Sequence, residues 1–514
     1  MKRLVVKKNR YVDSVSLMSV GEKVKKATGV QSAEAQMGTP ANLELLAELG
    51  YDIEEKITPN DLVVAVTGST EQQLDSAVQF IFDLIDHKAS GEEAETYRIL
   101  DEIDLREDPY DLVQISLPGE YAAEEAKKAL EKGLDVFIFS DNVPIEQEKE
   151  LKELGKEKGL LVMGPDCGVG LIRGVALAAG SIVRKGPIGI VGASGSGSQE
   201  VACIAERCGS GVSVIIGTGG HDLYPEIGGS TMLRGMRRLD EDPNIKVIVL
   251  VSKLADLTVM GRVLTEADGL EKPVVAVFLG SDEALYEGHR VHGAFSLEEA
   301  ALEAVRLAEG KAPVIGRTED EISELVKQEL KKYSKDQKYF RGLYCGGTFT
   351  EESLIYFSRH NPGSVIHSNL KNKYSVMLED HLQSEGHSIL DLGSEDFTCS
   401  SPHPIFDPQL RAKRFQRELE DPETAVILLD FILGPAVHPD PVSPFVERYV
   451  QEMKKANRHV TVIAEVCGSE EDPQNVGAQE KLLRDAGIIV TSSNFESTKI
   501  ASALMEALEG RRQL

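Results

Sequence analysis

The chain reads as an α/β protein built on mostly parallel sheets, and three observations carry that expectation. Short apolar runs alternate with amphipathic segments along most of the sequence, the pattern of parallel strands covered by helices. Aromatic residues are few and tryptophan is absent, while glycine and branched aliphatics are plentiful. A glycine-serine loop at 192–198, "GASGSGS", joins an apolar run to a stretch with helical spacing.

Residues 1–110 give the weakest pattern: "MGTPANLELLAELG" is a turn into a helix, "NDLVVAVTG" a strand, and the acidic run 91–109 a solvated helix and connection. From "DLVQISLP" (111–118) the order is strand, helix "EYAAEEAKKALEKG", strand "LDVFIFS", helix "PIEQEKELKELGKEKG" and strand "LLVMG", closed by the loop "GPDCGVG" (164–170). A second block starts at "GPIGIVGASGSG" and alternates strand and helix to about Gly310. The charged stretch 317–340 reads as a helix plus linker. A third block opens with "RGLYCGGTFTEESL", a strand and a Gly-Gly-Thr turn into a helix. It continues through "HSILDLG", "TAVILLDFILG", "HVTVIAEVCG" and "GIIVTSS". Blocks two and three echo each other: "LDEDPNIKVIVLVSK" (239–253) and "LEDPETAVILLDFI" (419–432) both put Asp-Pro between a helix and a strand. Asp-Pro stops helices anywhere, but the shared glycine-rich turn after each block's first strand points to an internal duplication. Strands 246–252 and 424–431 are therefore expected in equivalent places.

In the second block Ile188, Ile190 and Val191 form a strand buried on both faces, and Val201, Ile204, Ala205 and Cys208 recur on one helical face. Gly192–Ser198 thus leads from a strand end to a helix N-terminus, where free N–H groups and the helix dipole can hold an anion. Glu200 fills the third glycine position of a dinucleotide fingerprint, and no lysine follows as in a nucleoside triphosphate loop. Two readings stand on these residues alone: a phosphate site, or glycine and serine used to turn and cap.

The formal charge of −28 excludes nucleic acid and anionic membranes as expected partners and requires any phosphate to be held by local groups. "MKRLVVKKNRYVDS" lacks the apolar core of a signal peptide, and no stretch approaches a membrane span. The six cysteines include no C-x-x-C pair, so a cytoplasmic protein without zinc or disulfide framework is expected. Asp166, Asp430, His438 and Asp440 are ligand-type residues near loops, but their spacing matches no metal motif.

"GPDCGVGLI", "GPIGIVGASGSGSQEV", "GTGGHDL" and "DEDPNIKVIVLV" resemble the α subunit of succinyl-CoA synthetase. "HSILDLG" through "ETAVILLDFILG" resembles the carboxy-terminal domain of that enzyme's β subunit. Over nearly the whole chain, "DSVSLM", "MGTPAN", "GEYAAEEA", "FSDNV" and "GLLVMGPDCG" resemble the FdrA family of acyl-CoA synthetase-like proteins. The resemblance implies a Rossmann-like CoA-binding-type domain over 1–183 with a divergent amino-terminal part. It further implies flavodoxin-like succinyl-CoA synthetase-type domains over 184–312 and 337–514, joined by a helical linker at 313–336.

In that family two helix N-termini hold a phosphoryl group. The resemblance implies that Ser194, Gly195, Ser196 and Gly197 form one such site. It implies a partner helix near "CSSPHPIFDPQLRAK" (399–413), capped by Ser400 or Ser401, with His403 facing the anion. Gly346, Gly347, Thr348 and Gly393 join the expected phosphate and substrate contacts, and Gly164, Pro165, Asp166, Cys167 and Gly168 form a loop on the cofactor face. Three departures from the synthetases stand out. Neither His289 nor His292 aligns with their phosphorylated histidine; Lys253 stands where they carry a glutamate; and residues 1–60 offer no glycine-rich loop for CoA phosphates. Lys253 and His403 are the expected catalytic residues.

The three blocks leave no room for an ATP-grasp domain, so partner subunits are expected, with homo-oligomerisation open and CoA the one cofactor implied. FdrA proteins are associated with oxamate carbamoyltransferase of anaerobic allantoin breakdown, written as oxamate plus phosphate giving oxalate plus carbamoyl phosphate. Two alternatives remain: an NDP-forming acyl-CoA ligase with a separate ATP-grasp subunit, and a non-catalytic scaffold.

Overall fold

The computed structural model describes residues 1–514 apart from 13–16, 18, 19, 40, 41, 44, 45, 48, 54, 55, 89–99, 106–109, 399, 400, 456, 457, 513 and 514. The helix expected over 91–109 therefore lies largely outside the described residues, as does Ser400.

Strands β1 (Lys2–Lys7), β2 (Ser32–Met37) and β3 (Leu62–Thr67) form a sheet in the order β1-β3-β2, antiparallel throughout. Helices α1 (Val20–Thr28) and α2 (Glu71–Lys88) pack on its Leu62, Val64 and Val66 face, while Val63 and Ala65 meet Leu46 and Tyr51 on the other. A second sheet runs β4 (Leu112–Ile115), β5 (Asp135–Ile138), β6 (Val162–Met163), all parallel, covered by α3 (Gly119–Glu131) and α4 (Ile145–Lys158). Residues 1–183, expected as a Rossmann-type domain with a divergent amino-terminal part, are shared among three sheets. Their first part is a separate antiparallel sheet, and their last strands, β7 (Val169–Ile172) and β8 (Val175–Ala178), join the next sheet. A wholly apolar strand such as β3 reads alike beside parallel or antiparallel neighbours, so periodicity does not reveal the pairing.

The third sheet adds β9 (Ile188–Gly192), β10 (Val212–Gly217), β11 (Val247–Lys253), β12 (Val274–Leu279) and β13 (His292–Ala294) in the order β13-β12-β11-β9-β10-β7-β8. Its helices are α5 (Gly195–Arg207), α6 (Ser230–Glu241), α7 (Leu257–Ala267) and α8 (Leu297–Glu309). Helix α9 (Glu319–Leu330), started by a Thr318/Glu321 capping box, leads to the last unit. There β14 (Tyr339–Tyr344), β15 (Ile366–Ser368), β16 (Val376–Met377), β17 (His387–Asp391), β18 (Thr424–Ile432), β19 (Thr461–Cys467) and β20 (Ile489–Thr491) run β16-β15-β17-β14-β18-β19-β20, all parallel. Helices α10 (Gly347–His360), α11 (Glu395–Thr398), α12 (Gln409–Glu420), α13 (Ser443–Lys455), α14 (Val476–Asp485) and α15 (Asn494–Arg512) cover it.

The two large units repeat one plan. In each, the first strand (β9 or β14) is central, β11 or β18 flanks it in parallel, and β12 or β19 comes next. The two strands that follow an Asp-Pro turn thus occupy equivalent places. The join between the units repeats the plan as well. Glu200 on α5 accepts from Asn494 N at the start of α15 (3.0 Å), and Glu352 on α10 accepts from Leu297 N at the start of α8 (2.8 Å). Each unit's leading helix therefore caps the other unit's final helix, which fixes how the two leading helices face each other.

Candidate functional site

Two strand-to-helix turns meet at this join. After β9, Ser194 is the N-cap of α5, its hydroxyl accepting from Gly197 N at 3.0 Å. After β14, Gly346 caps α10 without a side chain, and Asp430 near the carboxyl end of β18 takes up the N–H groups of Cys345 and Gly346, both at 2.8 Å. Across the join the Ser194 and Thr348 hydroxyls lie 2.5 Å apart, both buried. Gly197 has no room for a Cβ, which would lie 2.7 Å from Ser194 Oγ and 3.1 Å from Thr348 Cγ2. Around this buried contact Gly195, Ser196 and Gly347 are half-buried, so the first turns of both helices open to solvent side by side. Two sets of first-turn N–H groups and two positive dipole ends thus converge.

Charged and polar side chains ring the opening. Lys253, emerging at the carboxyl end of β11, pairs with Glu351 of α10 at 3.1 Å, and its Nζ is 3.6 Å from where a Gly347 Cβ would sit. Asp391, at the end of β17, has Oδ2 2.8 Å from that same point and accepts from Gly393 N through Oδ1 at 2.9 Å. Burial pushes the Asp391 carboxyl up to about 6, against the pull of Lys253. His403 Nε2 is 2.4 Å from where a Gly393 Cβ would lie, so only glycine lets this ring in. Its Nδ1 accepts from Ile405 N (3.3 Å), which puts the imidazole proton on Nε2, and burial pushes its pKa down to about 4. His403 is therefore a neutral donor at physiological pH.

Ser194, Gly195, Ser196, Gly197, Gly346, Gly347, Thr348, Lys253, Gly393 and His403 are thus brought together. The segment 399–413 supplies His403 but not the second helix end. Helix α12 starts only at Gln409, whose N–H bonds Asp407 Oδ1 at 2.9 Å, and Ser401 lies in a bend. Pro402, Pro404 and Pro408 break the run before it. The helix end that faces α5 is α10.

Gly164–Gly168 lies alongside, against the turn after β10: a Cβ on Gly219 would sit 2.3 Å from Pro165 O, and one on Gly217 2.2 Å from Cys167 Sγ. The loop's exit residue, Val169, borders Gly195. Burial raises the Asp166 carboxyl to about 6, reinforced by Asp141, and the Cys167 thiol to about 12, so Cys167 is not a nucleophile.

Sequence reasoning overlooked the support of the second turn. Arg411 of α12, almost wholly buried, donates to Asp430 Oδ1 at 2.8 Å and to Leu343 O at 2.9 Å. An aspartate inside the apolar run "VILLDFIL" was the available signal, because a lone buried carboxylate needs partners.

Comparison with known proteins identifies the family. Residues 343–504 match a CoA-ligase family model, 183–269 a CoA binding domain, and 1–98 a model described as AllF, heavy metal-associated domain. The CoA-binding match thus falls downstream of the 1–183 span to which the resemblance assigned that domain. The Escherichia coli K12 protein YahF, itself uncharacterized, is 38% identical over 97% of this chain and 98% of its own length. The chain belongs to the FdrA and succinyl-CoA synthetase-like family. Among other members, subunit alpha 2 of an Archaeoglobus fulgidus ADP-forming succinate–CoA ligase is 26% identical over 42% of this chain and 76% of its own. An ADP-forming sulfoacetate–CoA ligase subunit from an Acholeplasma species is 28% identical over 35% and 62%. The solved structure of PH0766 from Pyrococcus horikoshii covers 81% of this chain and 88% of its own at 16% identity and a TM-score of 0.33. Several relatives of this acyl-CoA synthetase-like family are named as subunits, and the CoA-binding match supports CoA as a ligand. Among the described residues no helix is long and apolar enough to cross a membrane.

Proposed function

We propose that the opening between α5 and α10 holds the phosphoryl group of an acyl phosphate, and that the chain is the carbamoyl-transferring subunit of an oxamate carbamoyltransferase. The observation that supports this is the Ser194–Thr348 contact, which sets two helix N-termini over one opening. The reaction as written from the resemblance does not close, since two carbons enter and three leave. The balanced form is N-carbamoyl-oxamate plus phosphate giving oxamate plus carbamoyl phosphate. Phosphate oxygen attacks the carbamoyl carbon, the bond from that carbon to the oxamate nitrogen breaks, and the nitrogen gains a proton. First-turn N–H groups of Gly195, Ser196, Gly347 and Thr348 would hold the phosphate, Lys253 would balance its charge, and neutral His403 would donate from Nε2 to the developing oxyanion.

The CoA-binding match favours a second reading, acyl-CoA ligation with an ATP-grasp partner. The half-buried first turn of α5 suits a phosphate of CoA as well as a carbamoyl phosphate. His289 and His292, tied to Asp268 (2.7 Å) and Glu303 (2.8 Å), serve neither reading. Purified protein, with and without co-purifying subunits, is given N-carbamoyl-oxamate and phosphate, then an acid, CoA and ATP. Carbamoyl phosphate formation supports the first reading; acyl-CoA formation without it replaces that reading.

Two variants probe the opening. Lys253→Met should weaken phosphate binding roughly 10-fold, because one cation is lost near the anion, while the melting temperature stays within about a degree. Isothermal titration and thermal melts check both; lost stability with unchanged binding would give Lys253 a packing role. Asp391 predicts a pH dependence. Below about 6 its carboxyl is neutral; as pH rises through that value it ionises beside Gly347 and repels the anion, with Lys253 partly screening it, while burial and the neighbouring Asp430 and Asp396 charges keep its pKa raised. Affinity for sulfate, which does not itself titrate in this range, should fall between pH 5 and 7, and Asp391→Asn should flatten the curve.

A further inference from the structure

Behind the second turn lies a buried cluster that the proposed reaction does not use. Glu200 and Cys203 stand one helical turn apart on α5, and Glu465 and Cys467 alternate onto one face of β19. Ligand atoms of Glu200, Glu465 and Cys467 lie within 4.8 Å of one another, and the Cys203 thiol lies beside that of Cys467. All four residues are 1% exposed. Glu200 Oε1 is taken by Asn494 N, but Glu200 Oε2 and Glu465 Oε2 are buried with no hydrogen-bond partner among the described residues. The nearby cation, Arg207, is already committed to Glu480 (2.7 Å) and to Val466 O (2.6 Å).

Two buried carboxylates side by side, each with an oxygen lacking a donor, need either a proton or a cation between them. The presence of thiols selects the kind of cation. Calcium and magnesium take oxygen ligands, whereas mixed sulfur and carboxylate sets suit zinc. Zinc bonds of roughly 2.0–2.3 Å put tetrahedral ligands about 3.6 Å apart, so side chains within 4.8 Å need only small torsional adjustments to close on an ion. Two carboxylates and two thiolates around zinc leave two negative charges, which face Arg207.

We propose that Glu200, Glu465 and Cys467, with Cys203 as the fourth ligand, bind a structural zinc ion at the join between the two large units. The ion ties α5 of one unit to β19 of the other. Glu465 is the strand neighbour of Asp430, which holds the second turn, so the ion would fix the placement of both turns without touching the substrate.

The test uses the full chain and reads metal rather than turnover, so its outcome is independent of the proposed reaction. Protein from zinc-supplemented cultures should retain zinc equimolar with the chain through gel filtration. Its cobalt-substituted form should show thiolate-to-cobalt charge-transfer absorption. Cys467→Ser should lose that absorption and at least about 100-fold in zinc affinity, while Cys208→Ser, in a half-exposed thiol at the end of α5, retains both. Should Cys467→Ser fail to fold, the wild-type chain decides: a chelator should lower its melting temperature and added zinc restore it. Metal-free protein without a cobalt-thiolate band, a melting temperature indifferent to zinc and chelator, or a band unchanged in Cys467→Ser would each overturn the site. The first two would leave a carboxyl pair sharing a proton; the last would place the metal elsewhere.

Discussion

Gly195→Val is expected to abolish phosphate-dependent turnover while the protein still folds. Gly195 is the first residue of α5 and half-buried; a Cβ there would meet Val169 Cγ2 at 3.4 Å, an ordinary contact. One added carbon is therefore tolerated. The two γ-carbons of valine, however, must occupy the space over the first turn, and they bar an anion from the N–H groups of Gly195 and Ser196. Losing one positioned donor costs roughly 10²–10³ in rate, and losing two together takes turnover below detection. Gly195→Ala should retain part of the activity. Carbamoyl phosphate formation, circular dichroism and thermal melts check the set. Full activity in the valine variant would place the anion elsewhere, and saturable NAD binding to the wild-type loop would return it to a dinucleotide role.

Asp430→Ala should be the most destabilising single change near the site, by about 3–5 kcal/mol. The carboxylate is wholly buried and accepts from Cys345 N, Gly346 N and the Arg411 guanidinium. Its removal leaves two buried N–H groups unpaired and a buried positive charge without a counterion, each with its own desolvation penalty. The second turn loses its anchor, so anion binding should weaken with stability. Arg411→Met combined with Asp430→Ala should recover part of the loss, because the uncompensated charge is gone; Arg411 also lies over the rings of Phe431 and Phe445, where a methionine can pack. Urea unfolding of the wild type, single variants and double variant measures the coupling. Additive losses would mean that the pair is not a unit.

Both variants depend on features that differ in how visible they were in the sequence. The loop 192–198 was legible because its causes are local: an apolar strand before it, a helical repeat of Val201, Ile204, Ala205 and Cys208 after it, and small residues between. The Gly-Gly-Thr turn and the Asp-Pro echo were legible for the same reason, and from them followed the repeated plan of the two large units. Where the chain enters a helix after several prolines, local signals conflicted. Ser400 and Ser401 looked like caps, yet the proline-interrupted segment reaches helical geometry only at Gln409.

By itself, then, the sequence determined the alternation of strands and helices, the strand-to-helix turns and the small residues that keep them open. The tertiary structure alone decided which turns meet. Ser194 and Thr348 are 154 positions apart, and their contact follows from sheet order and from the crossed caps of Glu200 on α15 and Glu352 on α8. Periodicity reports which face of an element is apolar, never which element covers it. The antiparallel pairing of β1–β3, the Asp430–Arg411 support and the four-residue cluster of α5 and β19 arise from long-range packing, which no local window of residues contains.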